Sequence, residues 1–491
     1  MLKNLYRMAK NYIKNILLLF LIVGGFPLFV LGQEQSAETF TLEQCIDFAM
    51  ENSIVLKNAK LDERISRAQK TEIISFALPQ INANANLNYF QSLPRFFATK
   101  QVAFGFSGLD ASKESEFLPT LKSGDVVSSP NFFQLKSSGT VALNISQIIL
   151  NGSFFVGLKA AENNIKLYNN TLNKVKEGVI EAVSKAFYSV LVNRERIELF
   201  DSNISRLDSL LRETKILNEN GFVEAIDIDR IQVSLNNIVA ERNNFIKLHE
   251  LTLEVLKFQI NYPMDKQLKI DGELTKESVL VELDNYLTDW NKKLRPDYQL
   301  LTIGIKLQNL SLTNKLVSYA PTLSFNANLG YSTQSNTISG LFRTESKFTD
   351  TRFGSDKWYP VNSFGLSLSV PLFAGFQRGA QYQQEKLKLA KLKNNELQLE
   401  SAIDLEVKQS IISYQNATET MEVQQRNLDL AKKVARVTKV KYQQGVGSNI
   451  EVVQAETSLR ESQVNYYNAL YDGIIAKINL DKAFGRLVNI K

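Results

Sequence analysis

Apolar and polar residues alternate in four short stretches of the chain, which predicts four β-strands. From Ile81 to Tyr89 the odd positions are apolar and every even position is asparagine. The alternation returns from Leu323 to Tyr331, and shorter versions occur around residues 141–146 and 366–370. A period of two gives a strand one apolar and one polar face. The polar face of the two longest strands is expected to carry Asn82, Asn84, Asn86, Asn88, Ser324, Asn326 and Asn328.

Apolar residues recur every seven positions in two longer tracts without proline, residues 131–262 and 372–491. Such a repeat predicts coiled-coil helices. Each tract reverses at a glycine, Gly221 or Gly445, and then resumes its helical pattern. A helix of about 70 residues would span roughly 105 Å, too long for a globular core, so the sequence predicts two rod-like hairpins. The repeats contain Val183, Val190, Ile197, Ile204 and Leu211 in the first tract, and Val407, Tyr414, Met421, Leu428, Ala435 and Tyr442 in the second.

The two halves of the chain have the same order of predicted elements. Gly152 and Gly375 open the long helices and lie 223 positions apart, and the turn glycines Gly221 and Gly445 lie 224 positions apart. Matched spacing of this kind indicates an internal duplication. We therefore expect a first repeat over 33–262, a connecting region over 263–294 and a second repeat over 295–491. Each repeat should contain a helix, two strands and a long helical hairpin.

The first 32 residues have the pattern of a secretory signal peptide. Four basic residues, Lys3, Arg7, Lys10 and Lys14, precede an apolar run over 16–30. The run ends at Leu31-Gly32, where Gly32 is the small residue expected at a cleavage site. An uncleaved membrane anchor is the alternative. Since the formal net charge of +6 includes those four basic residues, the remaining chain carries about +2, which argues against a nucleic-acid partner.

The chain contains one cysteine, Cys45, and one histidine, His249. This composition offers no metal cluster and no Cys/His or Ser/His catalytic pair, so we expect neither a cofactor nor an enzyme activity. His249 lies in a charged helical stretch and is expected on the surface.

The predicted strands have features of outer-membrane strands. Their polar face is uncharged, each is about ten residues long, and Tyr89, Phe90 and Tyr331 lie near strand ends. The alternative is a soluble sheet with one face on a core. Four strands cannot close a barrel in lipid, whereas three chains would supply twelve. The predicted fold is an α+β membrane protein in which a trimeric, 12-stranded transmembrane β-barrel continues as a long α-helical coiled-coil barrel.

Several motifs occur in an order that resembles the TolC family of outer-membrane efflux proteins. Three short motifs are Thr41–Ile46, Leu78-Pro79-Gln80 and Arg295-Pro296-Asp297. Val370–Gly375 resembles the strand-to-helix motif of the family, and Gln147–Gly152 is a degraded copy in which Ile148 replaces proline.

The resemblance implies a homotrimer in the outer membrane of a Gram-negative cell, with its helical part in the periplasm. Such a trimer is the passive exit duct of a tripartite efflux pump or type I secretion system. Its partners would be outer-membrane lipid, a periplasmic adaptor and, through the adaptor, an inner-membrane transporter. The sequence does not separate drugs, cations and proteins as substrates. The alternative function is a periplasmic coiled-coil adaptor, although an adaptor carries one hairpin and this sequence has two.

The resemblance also implies two sites near the hairpin tips. The turns expected to dock the adaptor are Gly221, Phe222, Val223 and Glu224, and Gly445, Val446, Gly447 and Ser448. The residues matching the periplasmic gate are Asp227, Tyr442, Glu451 and Gln454. Gly447 replaces the arginine of the family, and Gln454 replaces an acidic residue, so a latch made by those charges is not expected. Three Glu451 carboxylates around a threefold axis would favour cations, while simple turns and a solvated helix face are the alternatives.

Overall fold

The computed structural model describes residues 38–99, 122, 125–131, 133–288, 290–342 and 358–487. The helices are α1 (Leu42–Asn52), α2 (Ile54–Ser75), α3 (Gly152–Glu219), α4 (Ala225–Ile260), α5 (Leu283–Thr288), α6 (Pro296–Val317), α7 (Gln377–Gln443) and α8 (Asn449–Ala483). The strands are β1 (Glu38–Phe40), β2 (Gln80–Tyr89), β3 (Arg95–Thr99), β4 (Val126–Pro130), β5 (Ser137–Leu150), β6 (Leu268–Ile270), β7 (Thr322–Ser335) and β8 (Tyr359–Ser369). The predicted signal peptide lies outside the described residues.

The four predicted strands form one antiparallel sheet in the order β2-β5-β7-β8. Every residue of the outer strands β2 and β8 is exposed. The sheet therefore ends in two open edges, and its apolar face is not covered by a core within the chain. The alternative of a soluble sheet packed on its own core does not match this exposure.

Long antiparallel helices extend from one end of the sheet. Next to the sheet the packing order is α2, α3, α6 and α7, and towards the hairpin tips it is α4, α3, α8 and α7. The predicted seam of α7 is confirmed, because all six of its residues from Val407 to Tyr442 are buried. The middle helix α3 packs on neighbours at both sides, and its buried residues accordingly extend beyond a single seven-residue seam.

Residues 263–288 and 290–294 and the end of α8 pack around the middle of the long helices. Strand β6 pairs in parallel with β1, and Val279 and Tyr286 join a core with Leu470 and Ile474 of α8. The Tyr414 hydroxyl of α7 accepts a hydrogen bond from the Val281 amide at 2.8 Å and donates to the Val279 carbonyl at 3.1 Å. These contacts fix the connecting region against the helical wall.

The single helix expected before the strands of the first repeat is divided into α1 and α2. The backbone leaves the helical conformation at Ser53, between α1 and α2. The Asn261 side chain donates a hydrogen bond to the Asn52 carbonyl at 3.1 Å, which satisfies a backbone group freed by the break. At the start of α1, Thr41 and Gln44 form a capping box, in which the side chain of each accepts a hydrogen bond from the backbone amide of the other.

The long connection between β2 and β5 contains the hairpin β3–β4, which the sequence pattern does not predict. Phe96 and Phe133 make an edge-to-face contact there, with ring centroids 6.1 Å apart.

None of the described helices is both long and apolar enough to cross a membrane.

Candidate functional site

The asparagines of β2, β5 and β7 lie on one continuous polar face. The register aligns Asn82 of β2 with Asn144 of β5 and with Asn328 of β7. The Asn328 amide donates to the Asn144 side-chain oxygen at 2.9 Å, and the Asn326 amide donates to Ser367 at 3.2 Å. All seven residues predicted for the polar face therefore lie on the same side of the sheet, and the side-chain amides of Asn326 and Asn328 bond across the strands.

The opposite face of the sheet is apolar and exposed. Its exposed side chains include Ile81, Leu87, Val141, Leu143, Phe364, Leu366 and Leu368. A broad apolar surface of this kind marks contact with a lipid or a protein partner rather than with water.

The two hairpin turns have the same backbone geometry. Gly221 and Gly445 both adopt left-handed conformations, with φ of 78° and 73°. The following residues, Phe222 and Val446, donate to carbonyls five positions earlier at 2.9 and 3.0 Å. This arrangement satisfies the last carbonyls of α3 and α7 and requires the freedom of glycine.

Replacing Gly445 with alanine should destabilise the second hairpin by about 1 kcal/mol, because an alanine side chain is strained at positive φ. Gly157→Ala is the matched control, since Gly157 lies within α3 and an added Cβ would meet nothing within 4 Å. That control should stabilise the protein slightly, because alanine favours helix over glycine. Thermal unfolding of the purified variants checks the difference, and equal melting temperatures would contradict it.

The two turns lie side by side and enclose an open cleft of about 560 Å³. Phe222 and Val223 line it from the first turn, and Gly445 and Gly447 from the second. The Asn218 side chain donates to the Val223 carbonyl at 2.7 Å, and Ser448 caps α8 by accepting from the Glu451 amide at 3.4 Å. The residues predicted for docking thus form one surface at the end of the helical wall, with Phe222 and Val446 strongly exposed.

The four predicted gate residues occupy two different environments. Tyr442 is buried between the hairpins, and its hydroxyl lies 3.1 Å from that of Thr214. Asp227 pairs with Arg230 at 3.3 Å, and its carbonyl accepts from the Asn449 side chain at 3.0 Å.

Glu451 and Gln454 instead line a groove of about 540 Å³ between α7 and α8, close to the second turn. Asp227 and Tyr442 therefore contact the other hairpin, whereas Glu451 and Gln454 border solvent.

Polar side chains join α3 to the second hairpin, three of them to α8 and one, at Tyr442, to α7, along the length between the turns and the connecting region. We call this set the inter-hairpin polar seam; it consists of Arg196–Asn468, Asn203–Gln463, Arg206–Glu456 and Thr214–Tyr442. Arg206 and Glu456 form an ion pair at 3.1 Å, and Asn203 is almost fully buried. Sequence reasoning missed this seam, although Asn203 within an apolar helical face was a signal that could have pointed to it.

A second cluster of polar side chains lies at the start of α6. Arg295 is 7% exposed and makes two hydrogen bonds to the Asp297 carboxylate, at 3.1 and 2.9 Å. It also pairs with Glu406 of α7 at 2.7 Å and donates to the Ala483 carbonyl of α8 at 3.1 Å. Burial lowers the pKa of Arg295, but the hydrogen bonds and charges of Asp297 and Glu406 outweigh that effect and hold the pKa above its ordinary value. The Arg-Pro-Asp motif thus ties three helices together.

His249 is half-buried, so the expectation of a solvated surface residue is wrong. Its ring packs on α3 near Val190, and burial is the main cause of its lowered pKa. Across the described part of the chain, no three His, Cys, Asp or Glu side chains are grouped in a way that could hold a metal ion.

The chain matches known proteins in both sequence and fold. Residues 315–486 match the family model described as Outer membrane efflux protein. The outer membrane protein TolC of Vibrio cholerae is 22% identical over 73% of this chain and 78% of its own length. The probable outer membrane lipoprotein SilC of Salmonella typhimurium is 23% identical over 90% of this chain and 85% of its own.

Two crystal structures have a similar fold over nearly their whole lengths. CusC, whose structures describe transmembrane channel formation, superposes with a TM-score of 0.69 at 15% identity and covers 93% of this chain and 95% of its own. VceC of Vibrio cholerae superposes with a TM-score of 0.66 at 14% identity, covering 90% and 96%. With these matches, the chain is TolC-like, its residues 315–486 carry the outer membrane efflux protein domain, and it is located in the outer membrane.

Proposed function

We propose that the chain is one protomer of a trimeric exit duct, which carries compounds from a periplasmic partner through the outer membrane. The observation that best supports this proposal is that the protomer has open edges on two sides. On each side, an edge strand of the sheet and an edge helix of the helical wall are exposed. Strands β2 and β8 form the edges of the sheet. Helices α2 and α4 lie at the first side, and α7 lies along the second.

The second side carries an apolar stripe along α7. Leu405, Ile412, Val423, Leu430 and Val437 are all exposed. Each lies two positions from a residue of the buried seam, which places it about 200° around the helix from that seam. Helix α7 is therefore apolar on two opposite faces, as expected for a helix with a neighbour on each side.

The first side carries a corresponding stripe on α4. Its exposed apolar residues are Ile226, Val233, Leu251, Val255 and Phe258. Val233 lies two positions after the buried Ile231, and Phe258 two after the buried Leu256, so this stripe also faces away from the protomer. Because the two stripes are on different surfaces, their contact is head-to-tail, and a threefold rotation between protomers closes it into a ring.

Three protomers give this ring a twelve-stranded barrel with the asparagine face inside and the apolar face towards lipid. Open strand edges are not tolerated in lipid, so β8 of one protomer pairs with β2 of the next. Twelve strands enclose a water-filled lumen. The uncharged amides form hydrogen bonds with water there and do not select solutes by the sign of their charge. The helical walls continue the same ring into the periplasm.

The cleft between the hairpin turns is the proposed docking surface for a periplasmic adaptor, which connects the duct to an inner-membrane transporter. Names of relatives support an efflux role: SrpC of Pseudomonas putida is a solvent efflux pump outer membrane protein, 27% identical over 39% of this chain. The exported substrate here is a drug, a solvent, a cation or a protein. Cells without the chain should accumulate at least one such compound and recover with the intact gene; unchanged accumulation and secretion would contradict the proposed function.

Glu451→Gln tests the proposed gate. In a closed ring three Glu451 side chains meet around the axis, and their negative charge attracts cations and repels anions. We expect the variant to lose cation selectivity and divalent block in single-channel recordings. Glu461→Gln is the control, because Glu461 is exposed on the same helix further from the turn. If both variants behave like the unmodified channel, Glu451 is not part of the gate.

A further inference from the structure

An open groove of about 440 Å³ lies between strand β1 and one face of helix α1. The residues that line it are Thr39 and Phe40 of the strand, and Gln44, Asp47, Phe48 and Glu51 of the helix. The helix positions are spaced by three or four residues, so they share one face. Among the described residues, none of β6 lines the groove, although β6 pairs with β1. The groove therefore lies on the side of β1 away from β6.

The groove lies on a face of the helical wall rather than at one of its edges. On another side of α1, Cys45 and Ala49 are buried against Val183 and Phe187 of the middle helix α3. In the proposed ring this face is the outer one, because the connecting region would otherwise fill the lumen. Phe187 lies 34 residues before the turn glycine Gly221, so the groove is roughly 50 Å from the hairpin tips. It is therefore a separate surface from the one proposed for the adaptor.

Strand β1 has a free edge on the groove side. The Phe40 carbonyl accepts a hydrogen bond from the Asp271 amide at 2.9 Å, so the main-chain groups of Phe40 point towards β6 and its continuation. Successive residues of a strand direct their main-chain groups to opposite sides. The amide and carbonyl of Thr39 therefore point away from β6. A strand edge of this kind is a template for pairing with another extended chain.

Aromatic rings and carboxylates together suit the groove to a positive charge. Phe40, Phe48 and Tyr262 form a triangle with ring centroids 5.6, 5.9 and 5.7 Å apart. Asp47 and Glu51 are exposed one helical turn apart, and no basic side chain of the described residues pairs with either carboxylate. Like charges at this spacing repel each other, and a cation bound between them removes the repulsion. An aromatic face also attracts the side chain of arginine or lysine.

We propose that the groove binds an extended, positively charged segment of a periplasmic protein, which adds to β1 as a strand. The main chain of the segment bonds to Thr39, and every second side chain enters the groove. An arginine or lysine there lies against the rings of Phe40 and Phe48, and its charge is shared by Asp47 and Glu51. The periplasmic location of the partner rests on the proposed function, whereas the binding itself does not.

A labelled peptide tests the charge recognition. The probe is a fluorescein-labelled octapeptide of alternating threonine and arginine, and its fluorescence anisotropy reports binding to the purified protein in a non-ionic detergent. We expect Asp47→Asn/Glu51→Gln to weaken binding about tenfold, because two charge contacts are lost. Asp62→Asn/Glu72→Gln is the matched control, since it removes two exposed carboxylates from α2, outside the groove. The control should bind the peptide like the unmodified chain.

Thr39→Pro tests the main-chain pairing. Proline removes the amide on the free edge and leaves the hydrogen bonds to β6 in place, so β1 stays paired. We expect about fivefold weaker binding, whereas Thr39→Val keeps both the amide and the affinity. Circular dichroism verifies that every variant folds.

Three results would overturn the proposal. The first is no binding of the peptide by the unmodified chain, and the second is equal affinity of the groove variant Asp47→Asn/Glu51→Gln and its control. The third is equal affinity of Thr39→Pro and Thr39→Val, which would exclude strand addition. Single-channel recording of the same samples without peptide separates a failure of this site from a failure of the proposed function.

Discussion

Ile412→Asp should abolish assembly of the ring while leaving the protomer folded. Ile412 is 57% exposed in the single chain, so a carboxylate there remains hydrated and costs little. In the proposed ring the same position would lie between α7 and the neighbouring protomer, where an unpaired charge would lose its hydration. The penalty is several kcal/mol at each contact and recurs around the ring. Native mass spectrometry in detergent should therefore show protomers in place of the oligomer.

Ser413→Asp is the matched control for this variant. Ser413 is exposed on the same turn of α7 but lies about 100° around the helix from Ile412, away from the apolar stripe. It should assemble like the unmodified chain. Circular dichroism should give the same helix content for both variants, which excludes unfolding as the cause. An intact oligomer of Ile412→Asp would mean that the stripe on α7 is not a contact between protomers.

Arg295→Met, at the start of the second repeat, should cause a large loss of stability. Arg295 joins Asp297, Glu406 of α7 and the Ala483 carbonyl of α8. Methionine fills a similar volume but leaves two carboxylates and a carbonyl without their donor. Removing one partner of a buried ion pair costs about 3–5 kcal/mol, and the lower end applies here because Glu406 is partly exposed.

Arg212→Ala is the control for Arg295→Met, because the Arg212–Asp208 pair is exposed on α3. Exposed pairs contribute about 0–1 kcal/mol, so this variant should unfold almost like the original protein. Urea denaturation followed by circular dichroism measures both. Equal midpoints for the two variants would show that Arg295 does not hold the three helices together. Arg295→Lys should restore only part of the stability, since lysine cannot reproduce the two bonds to Asp297.

The features that sequence predicted well depend on local periodicity. Alternation over Ile81–Tyr89 predicted one polar and one apolar face, and the seven-residue repeat from Val407 to Tyr442 predicted a buried seam. Both follow from the geometry of a single element. The turn glycines were recognised because a sharp reversal with positive φ favours that residue.

The features that sequence missed depend on contacts between distant parts of the chain. Asn203 meets Gln463, and Thr214 meets Tyr442, although each pair is more than 220 positions apart. No local pattern specifies such partners. The break at Ser53 depends likewise on Asn261, and the β3–β4 hairpin forms within a connection that lacks regular alternation. The roles of the gate and docking residues stay predictions, since they concern an assembled ring and its partners.

The central claim is that this chain closes an outer-membrane duct only as an oligomer. The most direct test combines the mass of the purified protein in detergent with single-channel recording of the same sample in planar bilayers. We predict a particle of three mature chains that inserts as one unit and conducts ions with a discrete conductance. A homogeneous, folded monomer that inserts without conducting would contradict the account.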